Sequence, residues 1–236
     1  MWYLTTGLLT QNKVWVAVLL MIHLAGRSFA QIIPPFPTRQ LADNRYDDIK
    51  GSPYLYDEWK YASLLTRDST LVKYVLLNYN GYEKQFEIKY GHVTATFDDR
   101  LFDRITVYVD DTLSDNVEWF VRGLHFDIAT ELVNVIYDGR AFKLIRGYKV
   151  RLVKLSDDFP GTTLERYRFA QDFYYMLLYQ DKLYMMRLTR NRFIKVIGNR
   201  ELINKIIVEN QLDISKETDV VRFLELLEQS LNKINP

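Results

Sequence analysis

The stretch that decides the fold runs from Phe173 to Leu188, FYYMLLYQDKLYMMRL. A polar pair, Gln180-Asp181, separates two apolar runs, which is the pattern of an antiparallel hairpin closed by a two-residue turn. Such a turn pairs Leu178 with Leu183, Met176 with Met185 and Tyr174 with Arg187 on one face. The other face pairs Tyr179 with Lys182, Leu177 with Tyr184, Tyr175 with Met186 and Phe173 with Leu188. Both faces are then apolar, unlike a sheet wetted on one side, so both need cover. Packing between a sheet and the segments that follow is the favoured reading. The competing reading makes Tyr175, Tyr179, Tyr184 and Met186 contacts for a ligand or partner, because tyrosine and methionine suit adaptable binding surfaces.

The cover is supplied by what comes next. In NRELINKIIVENQ, Leu202, Ile203, Ile206 and Ile207 share one helical face. In SKETDVVRFLELLEQSLNKI, Val220, Phe223, Leu224, Leu227 and Leu231 recur at helical spacing, with Ser215 as the expected N-cap. A short helix at Arg192–Ile197 can precede them.

Toward the N-terminus the period is two. LVKYVLLNYNGYEKQFEIKY carries Asn80-Gly81, the strongest short hairpin signal, since both residues of such a turn need positive φ. A two-residue turn there pairs Tyr79 with Tyr82, Leu77 with Lys84 and Val75 with Phe86, giving one mainly apolar and one mainly polar face. Further strands are expected at His92–Phe97, Arg104–Val109, Val117–Phe120, Glu131–Tyr137, Ala141–Ile145 and Lys149–Leu155, with FDIATELVN as an alternative short helix. The expected fold class is therefore α+β: a curved, mainly antiparallel β meander followed by two or three C-terminal helices.

The first thirty residues read as a secretory signal. Lys13 precedes an apolar run from Val14 to Ala25, and Ser28 and Ala30 are small residues at −3 and −1 before Gln31. The run is shorter than the roughly 20 residues a bilayer span needs, so no transmembrane span is expected after cleavage. Residues 31–52 form an extended, proline-containing leader, and PYLYDEW then places Tyr54, Tyr56 and Trp59 as a patch that docks on the domain. Residues 53–236 read as a single domain, helical from about residue 190. Cleavage removes Lys13 and Arg27 from 31 basic side chains and none of 30 acids, leaving 29 against 30 and a net charge of −1. That balance argues against a nucleic-acid binder.

The sequence offers little catalytic chemistry. There is no cysteine, hence no disulfide, thiolate metal site or cysteine nucleophile. Phosphate-binding glycine loops and GxSxG are absent. Only His92 and His125 remain after cleavage, too few for a histidine zinc site. Asp98-Asp99, Asp110-Asp111 and Asp157-Asp158 could serve a hydrolase, and DDTLSDN could hold calcium, but aspartate pairs at these places fit turns better. RLTRNRFIKVIGNR is locally basic, the composition of a solvated helix approach. No cofactor or metal is expected.

KGSPYLYDEW, LLNYNGYEKQFEI, VIYDGRAFKLI and the C-terminal stretch from KLYMMRL onward resemble a group of uncharacterised exported envelope proteins of the Bacteroidetes. The resemblance implies the periplasm or cell envelope of a Gram-negative cell and carries over no functional residue. The reading that follows is a non-enzymatic envelope protein that binds a protein partner or surface component. The alternatives are a carrier or sensor of a small apolar ligand held between sheet and helices, and a hydrolase.

Overall fold

The computed structural model describes residues 34–110, 116–155 and 166–234; the signal segment, Asp111 and Asp157-Asp158 lie outside them. The strands are β1 (Thr38–Gln40), β2 (Ile49–Lys50), β3 (Lys60–Thr66), β4 (Leu71–Asn80), β5 (Gln85–Tyr90) and β6 (Val93–Phe97). They continue with β7 (Phe102–Tyr108), β8 (Val117–Val121), β9 (Val133–Asp138), β10 (Phe142–Lys154), β11 (Tyr167–Tyr179) and β12 (Lys182–Met186). The helices are α1 (Arg190–Ile197), α2 (Arg200–Glu209) and α3 (Glu217–Ile234). One sheet holds all the strands in the order β1-β6-β5-β4-β3-β7-β8-β9-β10-β11-β12, with β2 added in parallel to β11. The fold is α+β, a curved, open, mainly antiparallel sheet followed by three helices.

Connection length forces the curvature. β6 and β7 are four strand spacings apart in the sheet order, about 19 Å if flat. The chain from Phe97 to Phe102 can reach only about 17 Å when fully extended. The strands therefore curl until the Phe97 and Phe102 rings meet at 5.3 Å, with the Phe36 ring 5.2 Å and 5.1 Å from them. Their inner face is filled by Ala62, Leu64, Leu77, Phe86, Ile88 and Ile105, all essentially buried.

The described leader belongs to this sheet. β1 pairs with β6, and β2 pairs with β11, so the leader straps together strands that lie far apart in the sheet order. Between the two pairings Arg45 reaches the buried Glu87 carboxylate, at 2.7 Å and 3.0 Å. Glu87 also accepts from Tyr54, Asn80 and Gln85. Burial alone would raise the Glu87 pKa; the hydrogen bonds from Arg45, Asn80 and Tyr54 outweigh it and hold the carboxyl below its ordinary value.

The inner face continues across β8 to β12 through the paired residues Phe120, Asn134, Arg146, Tyr175 and Met186. Its far end is covered by the helices. Phe142, Leu144 and Leu177 meet Phe193, Ile203, Val220, Phe223, Leu224 and Leu227, all fully buried. Between the two cores runs a polar seam. Arg146 pairs with Glu118 at 2.6 Å and with Glu217 at 3.1 Å, Tyr56 donates to Glu118, and Tyr175 donates to Glu217. A second tie is Glu228 of α3, whose carboxylate accepts the backbone N–H groups of Arg140, Ala141 and Phe142 in the β9–β10 turn.

The hairpin read at Phe173–Leu188 forms in the expected register from Tyr175↔Met186 through Tyr179↔Lys182, with Gln180 and Asp181 both at positive φ; the expected Tyr174–Arg187 and Phe173–Leu188 pairs lie beyond the end of β12 at Met186. Its helix-facing side is covered as expected. The opposite side is covered only in part: Met176 packs with Val133, Val135 and Ile145 under Ile128 and Leu124, while its cross-strand partner Met185 stays 57% exposed.

Three expectations are corrected. The first hairpin is not closed by Asn80-Gly81. Asn80 is the last residue of β4 and pairs with Gln85, so Tyr79 faces Phe86 and Leu77 faces Ile88. The Asn80 Oδ1 accepts from the N–H groups of Tyr82 and Glu83 and shapes a four-residue loop, in which Lys84 and not Gly81 has positive φ. Second, Ala141–Ile145 and Lys149–Leu155 are parts of one thirteen-residue strand, β10. Third, Ser215 does not cap α3. Its hydroxyl donates to Asp213, whose own N–H is held by Asp219. FDIATELVN gives a single 3-10 turn at Phe126–Ile128.

Candidate functional site

The four residues singled out in the sequence do come together. Tyr175, Tyr179, Tyr184 and Met186 share the helix-facing side of the hairpin, where Met186 is buried and the tyrosines pack against the helix core. Tyr175 is further committed to Glu217. The acidic pairs behave as turns where described: Asp98 accepts from the Arg100 N–H and pairs with its guanidinium, and Asp99 pairs with Arg122. His125 is buried, with Nδ1 accepting from the Asp127 N–H and Nε2 donating to the Asp181 carbonyl. His92 is exposed in the turn before β6.

A cleft forms from other residues, at a gap in the curled sheet. β9 pairs with β10 only as far as Asn134↔Arg146. Beyond it, β10 next meets the end of β4, where the Val150 N–H donates to the Gly81 carbonyl. Side chains from both sheet faces reach the gap. Tyr79, Phe86 and Tyr148 come from the inner face, and Lys149, Tyr174 and Met185 from the outer one. Lys84, Asp99 and the segment Thr130–Leu132 complete a cleft of about 620 Å³. Behind Tyr79, Tyr148 and Tyr174 lies a void of about 60 Å³ that reaches Phe120, Asn134 and Arg146.

Two glycines make the cleft walls possible. A Cβ on Gly147 would overlap the ring of its cross-strand partner Tyr174, so that ring lies against bare backbone. A Cβ on Gly81 would stand 2.6 Å from the Tyr148 ring and 2.8 Å from Val150. Gly81 is glycine because of close approach, not because of its turn conformation. Tyr148 is pinned further by donating to the Tyr54 carbonyl at 2.8 Å.

The cleft phenols are held neutral. Burial, then Tyr174, Asp99 and Glu131, pushes Tyr79 up to about 12. Burial, then Asp57, pushes Tyr148 up to about 12, and burial with Glu131 raises Tyr174. Each hydroxyl keeps its proton at neutral pH; that of Tyr148 is spent on the Tyr54 carbonyl, while those of Tyr79 and Tyr174 can donate as well as accept. Lys84 and Lys149 balance Asp99 and Glu131 around the mouth. Lys149 lies 3.4 Å from Asp172 and 5.8 Å from the Tyr174 ring centre. At the base, the Asn134 Nδ2 donates to Glu118 at 2.7 Å, which fixes the amide orientation, since a carboxylate can only accept. Its Oδ1 is buried with no partner among the described residues.

Sequence reasoning missed this site because its members are spread from Tyr79 to Met185. One signal was present: a glycine inside a strand pattern, which marks close approach of something else. Gly147 sits within RGY, where the reading broke one strand into two. Among the described residues no group of three metal-ligating side chains comes together, and no helix is long and apolar enough to cross a membrane. No protein-family model, no curated protein and no solved structure matches the chain.

Proposed function

We propose that the chain is a non-enzymatic binding protein of the Gram-negative cell envelope, exported by the segment ending at Ala30, and that its cleft engages an envelope surface component. The observation that carries this reading is the glycine-seated tyrosine wall around a charge-balanced opening. Neutral phenols and ion-paired carboxylates favour recognition over acid–base chemistry. A small apolar ligand between sheet and helices finds less support: the centre of that interface is filled by fully buried side chains such as Phe193, Phe223 and Leu177, and the open hollow at its edge, about 800 Å³ beside Tyr175 and Met186, is also lined by Lys149, Asp172, Arg187 and Arg192.

The test is sedimentation of the purified mature protein with isolated envelopes. Retention of the wild type, and its loss in a Tyr174→Ala protein that still unfolds cooperatively, supports the reading. Equal retention of both proteins, or of neither, contradicts it. Envelope-purified protein should begin at Gln31; an intact Met1 chain recovered from the cytoplasm would defeat the export proposal.

A further inference from the structure

Resting on that binding reading, we propose that the cleft takes a neutral sugar ring of an envelope glycan, with one hydroxyl directed at the base of the void. Three features narrow the ligand class. The first is the Asn134 Oδ1, a buried acceptor with no partner among the described residues, in a side chain only 4% exposed that lines the void. Such an atom calls for a donor. A hydroxyl supplies one; a hydrocarbon chain, a phosphodiester or a sulfate does not. The second is the charge balance of the mouth, where an anion would meet Asp99 and Glu131 as well as Lys84 and Lys149. A neutral, multiply hydroxylated ligand meets both signs without penalty. The third is the wall of Tyr79, Tyr148 and Tyr174, whose rings accept the apolar C–H faces of a pyranose while the Tyr79 and Tyr174 hydroxyls donate to its oxygens and that of Tyr148, already donating to Tyr54, accepts from a sugar hydroxyl.

A peptide could also donate an N–H, but the backbone at the cleft does not invite a strand. The stretch of β10 between its last β9 pair, at Arg146, and Val150, which already bonds Gly81, is three residues long. Strand addition draws its affinity from a longer run of unpaired main chain. The wall is built from side chains, and the size of the cleft, about 620 Å³, fits a ring with its neighbouring units.

Two measurements test the proposal with the mature protein. The first compares retention on three envelope preparations: untreated, protease-digested, and periodate-oxidised to cleave vicinal diols. The expected result is retention on the first two and loss on the third. Loss after protease with retention after periodate would replace the sugar by a protein partner, and retention on all three would also overturn the proposal. The second is direct titration against a panel of neutral oligosaccharides covering hexoses, pentoses, deoxyhexoses and N-acetylhexosamines, with oleate and heparin fragments as apolar and anionic comparators. Binding of a neutral member should weaken by about tenfold or more in Tyr174→Ala, as removal of a central aromatic anchor does. Tyr79→Phe, which keeps the ring, should weaken it less while leaving melting unchanged. A positive envelope assay with no binding to any neutral glycan sinks the sugar assignment alone. If untreated envelopes also fail to retain the protein, both readings fall together.

Discussion

Two hairpins of the sheet, β4–β5 in its interior and β11–β12 at its edge, end in opposite ways. The β11–β12 turn, Gln180-Asp181, projects into solvent, and both residues take the positive φ that a two-residue turn demands. Asn80-Gly81 carries the stronger local signal for the same turn, yet β4 runs through Asn80 and the reversal comes after it. What differs is the tertiary load. The Asn80 side chain is spent on Glu87, Tyr46 and two loop N–H groups. Gly81 bonds Pro53 and Val150 and lies under Tyr148. The local pattern sets the register at Gln180-Asp181, whose side chains are exposed and whose link to the rest of the fold is the His125 bond to the Asp181 carbonyl; where side chains and backbone are claimed by several neighbours, those neighbours decide. The shift between expected and observed register is an even number of residues, so the apolar and polar faces survive it.

Mutations can separate these two kinds of support. The largest effect is expected where the β11–β12 hairpin meets its helices: Leu224→Ala, at a fully buried position, should cost about 2–5 kcal/mol in urea unfolding. The first hairpin should depend instead on its ion pair with the leader. Glu87→Ala leaves the Arg45 guanidinium without its main partner. It should cost roughly 2–3 kcal/mol, below the full buried-pair value because Arg45 reaches solvent.

That dependence has a pH signature. The folded Glu87 pKa is depressed, so its contribution is complete above the ordinary glutamate range and is lost as pH falls through the folded value. Proteolysis or amide exchange within residues 34–56 should therefore rise only once the pH has fallen below the ordinary glutamate range. Glu87→Gln should remove that step; persistence of the step would show that another carboxyl anchors the leader.

The two wall glycines should give smaller, coupled effects. Gly147→Ala should destabilise by about 1–3 kcal/mol through overlap with Tyr174. The penalty should shrink by roughly 1 kcal/mol or more when Tyr174→Ala is added; additive penalties would mean that the ring does not sit where described. Gly81→Ala should show the same coupling with Tyr148. The smallest effect belongs to the exposed turn, where Asp181→Gly relieves a positive φ of 55° and should stabilise by about 0.5–1 kcal/mol.

These contrasts explain what could be read from the chain. Elements with one dominant local period were legible: the apolar stripes of α2 and α3, the alternation of β4 to β8, and the two-sided hairpin that required cover. β3 was missed because KYASLLT mixes small and polar residues with its two buried anchors, Ala62 and Leu64. β1 and β2 were missed because each is two or three residues held by pairing alone. The cleft was illegible because it exists only after the sheet has curled, bringing Tyr79 within reach of Tyr148. Its walls rely on two glycines whose role is space, which a reading of turns and breaks converts into punctuation.

The central claim is that recognition belongs to the cleft and not to the tyrosines of the β11–β12 hairpin that face the helices. It is tested most directly by comparing envelope retention and melting temperature for Tyr174→Ala and Tyr184→Ala. The account predicts that Tyr174→Ala, although it gives up packing against the Ile128 and Met176 cluster, still unfolds cooperatively and loses retention, and that Tyr184→Ala, which loses packing against the helix core, melts lower but is still retained. Retention lost in Tyr184→Ala and kept in Tyr174→Ala would contradict it.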